Sequence, residues 1–203
     1  MKKLLSVFVI IFLCTYNVIA QGIFEMKSMA KGFSVELHTG ITGWICDDLD
    51  VKNESGFHFG LKAGYGFSEW IEAFLEYNHS IINPEWEEFE AFPYNHLDFG
   101  ARFNFGSTIK AFRPFTEITA MYQTSIQDAV DTDTGQFLKL DMEGYGISIG
   151  GGIKYHLQLP LVLMLGGKYS FGSFDTIKVD GNDYQDEWAA NSYRLYFGIA
   201  YFF

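Results

Sequence analysis

After its N-terminal segment, this 203-residue chain lacks any apolar run approaching the roughly 20 residues that a membrane-spanning helix needs. Cysteine is scarce: Cys14 and Cys46 are the two. A chain cleaved between them has one thiol, which excludes an internal disulfide. Basic residues are outnumbered, with 14 Lys and Arg against 25 Asp and Glu. Because nucleic acid binds basic surfaces, this balance argues against nucleic acid as a partner.

The N-terminus has the pattern of a secretory signal peptide over residues 1–20. Lys2 and Lys3 precede a short apolar core, Leu4–Cys14, and Val18-Ile19-Ala20 ends with the small residue that a signal peptidase needs. The core is too short to cross a bilayer as a helix. Cys14 lacks the small preceding residue expected of a lipoprotein. We therefore expect export and cleavage after Ala20.

The chain is rich in aromatic residues (18%) and glycine (21 residues), and these follow an alternating pattern. Strict alternation of apolar and polar residues places the two sets on opposite faces of a β-strand. Eight consecutive segments alternate in this way. In each segment the mainly apolar set is every second residue, counted from the first to the last residue of these ranges: Phe33–Ile41, Phe57–Phe67, Ile71–Tyr77, Leu97–Phe105, Phe112–Tyr122, Tyr145–Tyr155, Leu161–Phe171 and Tyr193–Phe203.

One face of these strands avoids charge, and the opposite face collects it. The charged face carries Glu36, Lys62, Glu72, Glu76, Asp98, Arg102, Arg113, Glu117, Lys154, Lys168 and Arg194. Glycines such as Gly60, Gly64 and Gly152 lie on the same face. Small residues interleaved with long charged ones suit a crowded barrel lumen. The bulky aromatic face must then point outward, which only lipid tolerates.

The connections between the predicted strands alternate between long and short. Long ones span Cys46–Glu54, Ser80–Tyr94, Ser125–Met142 and Gly172–Ala190, and the short ones include Ser68-Glu69, Gly106–Ile109 and Gln158–Pro160. Up-and-down outer-membrane barrels have short periplasmic turns and long external loops. Aromatic residues also cluster at both strand ends, which is typical of the two membrane interfaces.

The chain therefore resembles the small outer-membrane β-barrel family of the OmpA-transmembrane and OmpX-like, porin-family type. The resemblance rests on the strand FHFGLKAGYGF, the strand opening Arg113-Pro114-Phe115 and the terminal Tyr201-Phe202-Phe203. It implies an all-β, eight-stranded antiparallel up-and-down transmembrane barrel over residues 32–203, after a periplasmic segment over residues 21–31. It also implies a location in the cell outer membrane among its lipids, and Phe203 as the assembly signal for the barrel-assembly machinery.

Inward charges from different strands are expected to meet in a lumen charge network. Its predicted members are Lys62, Glu72, Glu76, Asp98, Arg102, Glu117, Lys154, Lys168 and Arg194. The register predicts Glu72 beside Arg102, Glu76 beside Asp98 and Lys62 beside Glu76. The short turn at Gly106–Ile109 further predicts Arg102 near Arg113 and Asp98 near Glu117. An acidic wall from the third to fifth strands is expected to pair with basic residues across the lumen.

The predicted role is structural or surface-interacting, with a lumen filled by side chains. The alternatives are a narrow passive pore and, third, a lipid A-modifying enzyme. An enzyme is not expected, because His79 and the adjacent Ser80 point to opposite faces. No cofactor or metal is expected, since Asp131–Gly135 begins like a calcium loop but lacks its later ligands.

Acidic external loops offer a surface for a ligand. They contain Asp47–Asp50, Glu85–Glu90 and Asp175–Glu187. Divalent-cation binding is one interpretation, and a solvated repulsive surface is the one we favour. Trp86, Phe89 and Phe92 in the second loop are expected either to form an adhesive patch or to pack on the barrel rim.

Overall fold

A computed structural model describes residues 28–46, 51–84, 91–130, 137–158, 160–184 and 186–203. The predicted signal peptide, most of segment 21–31, the calcium-like sequence at 131–135 and the loop residues 47–50 and 85–90 lie outside these ranges. Within the described residues, no helix has the length and apolar character needed to cross a membrane.

Nine strands account for almost all of the described chain. They are β1 (Gly32–Cys46), β2 (Val51–Gly66), β3 (Ile71–Asn83), β4 (Phe92–Asn104), β5 (Phe112–Val130), β6 (Phe137–Gln158), β7 (Leu161–Val179), β8 (Asn182–Tyr184) and β9 (Trp188–Phe202). Strands β1 to β7 pair in chain order, β9 pairs with β7, and β9 also pairs with β1. All pairs are antiparallel, so eight strands form a closed up-and-down barrel.

The barrel is closed by the pairing of the first and last strands. Ser34 lies opposite Phe202, and the Phe203 amide donates a hydrogen bond to the Phe33 carbonyl at 2.8 Å. In hydrocarbon, an unpaired backbone group costs several kcal/mol, which a closed barrel avoids because it has no edge. The start of β1 and the end of β9 therefore lie at one end of the barrel, here called the terminal end; the opposite one is the loop end.

Two connections predicted as long loops are largely strand. β5 and β6 pair from Phe112 opposite Tyr155 as far as Val130 opposite Phe137. β7 runs on to Val179 and turns back into β8 through Asp180 and Gly181, which have positive φ angles of 50° and 80°. Strands β5 to β7 therefore continue beyond the outer aromatic residues as an extended sheet at the loop end.

The barrel is polar inside and apolar outside, the reverse of a water-soluble protein. Phe33, Phe99 and Leu165 are 66%, 65% and 64% exposed, whereas Glu76 and Asp98 are 2% and 0% exposed. Such an apolar outer surface is stable only against lipid. The predicted division between the charged and the apolar faces is therefore the division between lumen and outer surface.

Aromatic rings mark both ends of the apolar surface. At the terminal end, Phe112 packs on Tyr155 with ring centroids 4.6 Å apart. At the loop end, Tyr122 packs on Tyr145 at 5.3 Å. Such rings sit at the level of the lipid headgroups. On β6, the membrane-embedded segment therefore extends from about Tyr145 to Tyr155.

The position of Ile149 midway along this segment generates a stability prediction. Ile149 is 54% exposed on the outer surface. Ile149→Arg should lower the free energy of unfolding by about 2–4 kcal/mol, because a charge is then held near the bilayer midplane. Urea-induced unfolding in lipid vesicles, followed by tryptophan fluorescence, measures the change.

The matched control places the same charge on the exposed extension of β7. Asp175→Arg should leave the stability nearly unchanged, since Asp175 lies beyond the outer aromatic residues. In the lumen, Ser148→Arg tests a different environment, because the Ser148 hydroxyl is buried and bonded to that of Ser170 at 2.8 Å. Equal tolerance of Arg at Ile149 and Asp175 would contradict the assignment of the lipid-facing surface.

Candidate functional site

The candidate site is a layer of charged side chains at mid-height in the lumen, here called the charged layer. Five acidic and five basic residues form it, and each is at most 4% exposed. Its members are Glu36, Lys62, Glu72, Glu76, Asp98, Arg102, Glu117, Lys154, Lys168 and Arg194. All nine residues of the predicted network are in this layer. The tenth member, Glu36, was predicted to lie on the charged face of β1 but was not among the predicted network residues.

Glu117 on β5 connects two cations at the centre of the charged layer. Its carboxylate accepts hydrogen bonds from Lys62 Nζ at 2.9 Å and from Arg102 Nε at 2.6 Å. Arg102 also reaches β1, where its NH2 group donates to Glu36 at 2.9 Å. One guanidinium thus joins β4 to β5 directly and to β1 across the lumen.

The basic residues of β7 and β9 pair with the acidic residues of β3 and β4 across the lumen. Lys168 Nζ lies 2.9 Å from Glu76 Oε2 and 3.2 Å from Asp98 Oδ2. Arg194 donates to Asp98 Oδ2 at 3.0 Å. Lys154 on β6 forms an ion pair with Glu72 on β3. These contacts join strands that are not neighbours in the barrel wall.

The structure has the predicted register between β2, β3 and β4 but not between β4 and β5. Lys62 lies opposite Glu76, and Glu72 opposite Arg102, as expected. Arg102, however, lies opposite Glu117 instead of Arg113.

Asp98, which was expected near Glu117, lies opposite Met121. The predicted pairings around the Gly106–Ile109 turn are therefore wrong, because β4 ends at Asn104 and β5 begins only at Phe112. The wall from β3 to β5 is also not purely acidic, since Arg102 sits within it.

Inward aromatic rings, which the sequence reasoning did not single out, line the charged layer. Phe74 lies beneath Lys62, whose Nζ is 4.3 Å from the ring centroid. The Arg102 guanidinium lies 4.7 Å from the Phe115 ring. A ring face attracts a cation. Both rings lie on the same face of their strands as the charged residues. This position in the alternating sequence could have predicted that they point into the lumen.

Glycines make room for these large side chains. A Cβ at Gly152 would lie 2.8 Å from the Phe115 ring, and one at Gly60 would collide with His38 and Asn78. Such distances are too short for carbon atoms in ordinary contact. Glycine at these two inward positions is therefore required by the packing of the neighbouring side chains.

Three buried histidines lie next to the charged layer on the loop-end side. His38 hydrogen-bonds Asn78 at 2.8 Å, and the Thr42 hydroxyl contacts His58 Nδ1 at 3.1 Å. The His96 ring packs edge-on against Tyr94 at 4.4 Å. All three point into the lumen, as expected from their positions on the charged face of the alternating strands.

Apolar clusters enclose the charged layer at both ends of the lumen. The loop-end cluster consists of Trp44, Cys46, Ile82, Phe92, Tyr94, Met142, Phe174, Ile177 and Ala190. The terminal-end cluster consists of Ala30, Phe115, Val162, Met164, Ala200 and Phe202. Phe92, expected in an adhesive patch or on the rim, is 3% exposed in the loop-end cluster. Trp86 and Phe89 lie outside the described residues.

Among the residues that the structure describes, His79 and Ser80 do not form the serine-histidine pair that a hydrolase requires. His79 Nδ1 contacts Asn95 Oδ1 at 2.7 Å, and Asn95 in turn contacts Tyr77 at 3.1 Å. Ser80 points into the lumen, where its hydroxyl lies 3.1 Å from that of Thr42. Within the described ranges, no group of three or more His, Cys, Asp or Glu side chains is arranged to hold a metal ion.

Comparison with known proteins identifies the architecture. No protein-family model and no curated protein matches the chain. The fold is similar to Neisserial surface protein A (NspA), with a TM-score of 0.65 and 16% identity over 85% of this chain and 98% of NspA.

Two further solved structures are similar. OprG of Pseudomonas aeruginosa has a TM-score of 0.55 and 14% identity, over 85% of this chain and 98% of OprG. Ail, the attachment invasion locus protein of Yersinia pestis, has a TM-score of 0.51 and 15% identity, over 84% of this chain and 99% of Ail. Ail has also been solved in complex with the heparin analogue sucrose octasulfate.

The chain is a small eight-stranded transmembrane β-barrel of the outer-membrane type. Its closed topology and its similarity to these structures define the fold. Its apolar outer surface, bounded by aromatic rings at both ends, requires lipid around it. The cell outer membrane is therefore its location.

The charged layer generates a second stability prediction. Glu76 contacts both Lys62 and Lys168 at 2.9 Å. Glu76→Ala should lower the free energy of unfolding by about 3–5 kcal/mol, because it leaves buried positive charge in excess. The measurement is urea-induced unfolding in vesicles of fixed composition.

Glu143→Ala is the control for this measurement. Glu143 is half-buried at the loop end, where it accepts a hydrogen bond from Tyr122 at 2.5 Å. Its loss should cost about 1 kcal/mol or less, as is typical for exposed polar contacts. If Glu76→Ala were no more destabilising than Glu143→Ala, the charged layer would be hydrated, and the ion pairs would not hold the barrel together.

Proposed function

We propose that this protein is a non-enzymatic outer-membrane barrel with a structural or surface-interaction role, whose lumen is closed to solutes. The observation that carries the proposal is the cross-lumen pairing of Lys168 with Glu76 and Asp98. Paired side chains from opposite walls occupy the space that a pore would need. The apolar clusters above and below the charged layer support the same interpretation.

With a closed lumen, the surface available for function is the loop end. Its acidic positions outnumber its lysine positions within the described ranges: Asp128, Asp141, Glu143, Asp175, Asp180, Asp183, Asp186 and Glu187 against Lys52, Lys139 and Lys178. Ail has been solved in complex with the heparin analogue sucrose octasulfate, but an acidic surface such as this one repels anions. We propose that a ligand of this protein is cationic, because opposite charge steers association.

Conductance measurement tests the closed lumen. The wild-type barrel reconstituted in planar bilayers should show no discrete conductance steps, because a lumen closed by paired side chains would leave no water-filled path. A general-diffusion porin in the same bilayers provides the positive control. Reproducible steps from the wild-type protein, altered in size by Glu76→Gln, would refute the closed lumen and favour a narrow passive pore.

The third alternative, a lipid A-modifying enzyme, is tested separately. Lipid A from cells with and without the protein should have identical mass spectra. A mass difference corresponding to one acyl chain or one headgroup substituent would refute the non-enzymatic role.

The assembly role of Phe203 is a further part of the proposal. Phe203 is 71% exposed at the terminal end, and its amide closes the β1–β9 seam. Deleting it should lower the amount of barrel inserted in the outer membrane, because the exposed terminal ring is lost and the new terminal residue, Phe202, is buried in the lumen. Quantitative immunoblotting of membrane fractions measures the effect.

The control separates assembly from stability. Phe105→Ala removes another exposed ring at the terminal end without altering the C-terminus. It should leave the inserted amount near that of the wild type. Equal insertion of the Phe203 deletion and the wild type would contradict the assembly role.

A further inference from the structure

The segment that precedes β1 is seated in the terminal mouth of the barrel. Ser28 and Ala30 are 1% and 0% exposed. Ala30 belongs to the terminal-end cluster, and the partly buried Met29 packs against the same cluster. Ser28, Met29 and Ala30 belong to the segment over residues 21–31 that the sequence predicts to be periplasmic.

Hydrogen bonds attach the segment to two different turns of the barrel. The Ser28 amide donates to the Thr108 carbonyl, in the β4–β5 turn, at 2.6 Å. The Ala30 amide donates to the Glu69 carboxylate, in the β2–β3 turn, at 3.0 Å. The segment therefore connects turns that are separated by two strands.

Arg113 connects these two attachments. Its NH1 group donates to the Ser28 hydroxyl at 3.0 Å and to Glu69 Oε2 at 3.3 Å. Its NH2 group donates to the Glu69 carbonyl at 2.5 Å. Arg113 was predicted among the lumen charges, but it holds the segment instead of joining the charged layer.

The apolar contacts extend to the opposite wall. The terminal-end cluster joins Ala30 to Val162 and Met164 on β7 and to Ala200 and Phe202 on β9. The segment therefore packs into a cluster that includes side chains from the far side of the mouth. Lys154, which forms an ion pair with Glu72 in the charged layer, lies 5.3 Å from the ring centroid of Phe202 in this cluster.

We propose that Ser28–Ala30 form a latch that closes the terminal mouth, held by Glu69 and Arg113. Release of the latch exposes the lower lumen to small solutes from the terminal side. The latch goes beyond the proposed function, because it acts at the mouth and does not depend on the ion pairs of the charged layer.

Thiol accessibility in the folded full-length barrel tests the latch. The reporter for the lower lumen is S34C, since Ser34 is inward, buried and opposite Phe202. The reporter for the loop end is S125C, at a fully buried inward serine of β5. A water-soluble methanethiosulfonate is the probe, and the barrel without a reporter gives the background from Cys46.

Glu69→Ala is the releasing variant, since it removes the acceptor of the Ala30 amide and one partner of Arg113. We expect it to raise the labelling rate of S34C about tenfold or more, the effect of losing hydrogen bonds to a charged group. The rate of S125C should not change. Glu69→Gln retains an acceptor oxygen and should remain close to the wild type.

Lys110→Ala is the matched control, because Lys110 is an exposed residue of the neighbouring β4–β5 turn. A heat-modifiable gel shift verifies that each variant is folded. Equal S34C labelling in the Glu69→Ala and Lys110→Ala proteins would overturn the latch. A parallel rise at S125C would also overturn it, because it would indicate general loosening of the barrel.

If Glu69→Ala does not fold, Ser28→Ala takes its place, because it removes the Ser28 hydroxyl that accepts from Arg113 and leaves the β2–β3 turn unchanged. It should raise S34C labelling in the same direction, and an unchanged rate would overturn the latch. The labelling rates test whether the latch closes the terminal mouth, whereas the conductance of the wild-type barrel tests whether the lumen is closed to solutes. The two proposals can therefore fail separately.

Discussion

Ten charged side chains share the middle of the lumen at no more than 4% exposure, and each needs an opposite charge within reach because little water is present. A buried ion that loses its partner is strongly destabilising, whereas a balanced set is tolerated. The layer holds five charges of each sign, and its contacts cross the lumen as well as following the wall. The closed barrel satisfies this requirement, because it brings each of the ten side chains within ion-pair distance of an opposite charge.

Every strand of the barrel wall contributes at least one member of the charged layer. Glu36 comes from β1, Lys62 from β2, and Arg194 from β9, with the other strands between them. A shift of one residue in any strand would turn its charge toward lipid and its aromatic residues into the lumen. The ion pairs therefore restrict the register of the whole sheet, in addition to their contribution to stability.

Alternation in the sequence was sufficient to predict which side chains face the lumen, because side-chain direction in a strand has a strict period of two. It was insufficient to predict every pairing. The actual β4–β5 register pairs Arg102 with Glu117, four residues beyond the predicted Arg113. A shift by an even number preserves both faces, so the pattern does not detect it. The true turn is wider than Gly106–Ile109 and contains the positive φ of Gly106.

The loop-end hairpin was also missed, although a local signal was present. Asp180-Gly181 between Val179 and Asn182 is the two-residue sequence that a tight hairpin favours. The latch, by contrast, has no periodicity in sequence. Its position depends on the Glu69 and Thr108 turns, which meet it only after the barrel has closed. Contacts of this kind are consequences of the tertiary fold and have no local sequence pattern.

The position of the charged layer between two apolar clusters increases the contribution of its ion pairs to stability. Charges exposed to water are screened, and their pairing contributes little to stability. Here the terminal-end cluster and the loop-end cluster lie on either side of the charged layer. Because both clusters are apolar, they limit the water that reaches Glu76 and Lys168 and so strengthen their attraction. Under the proposed function, the lumen holds the barrel together, and interaction with other molecules takes place at the exposed loop end.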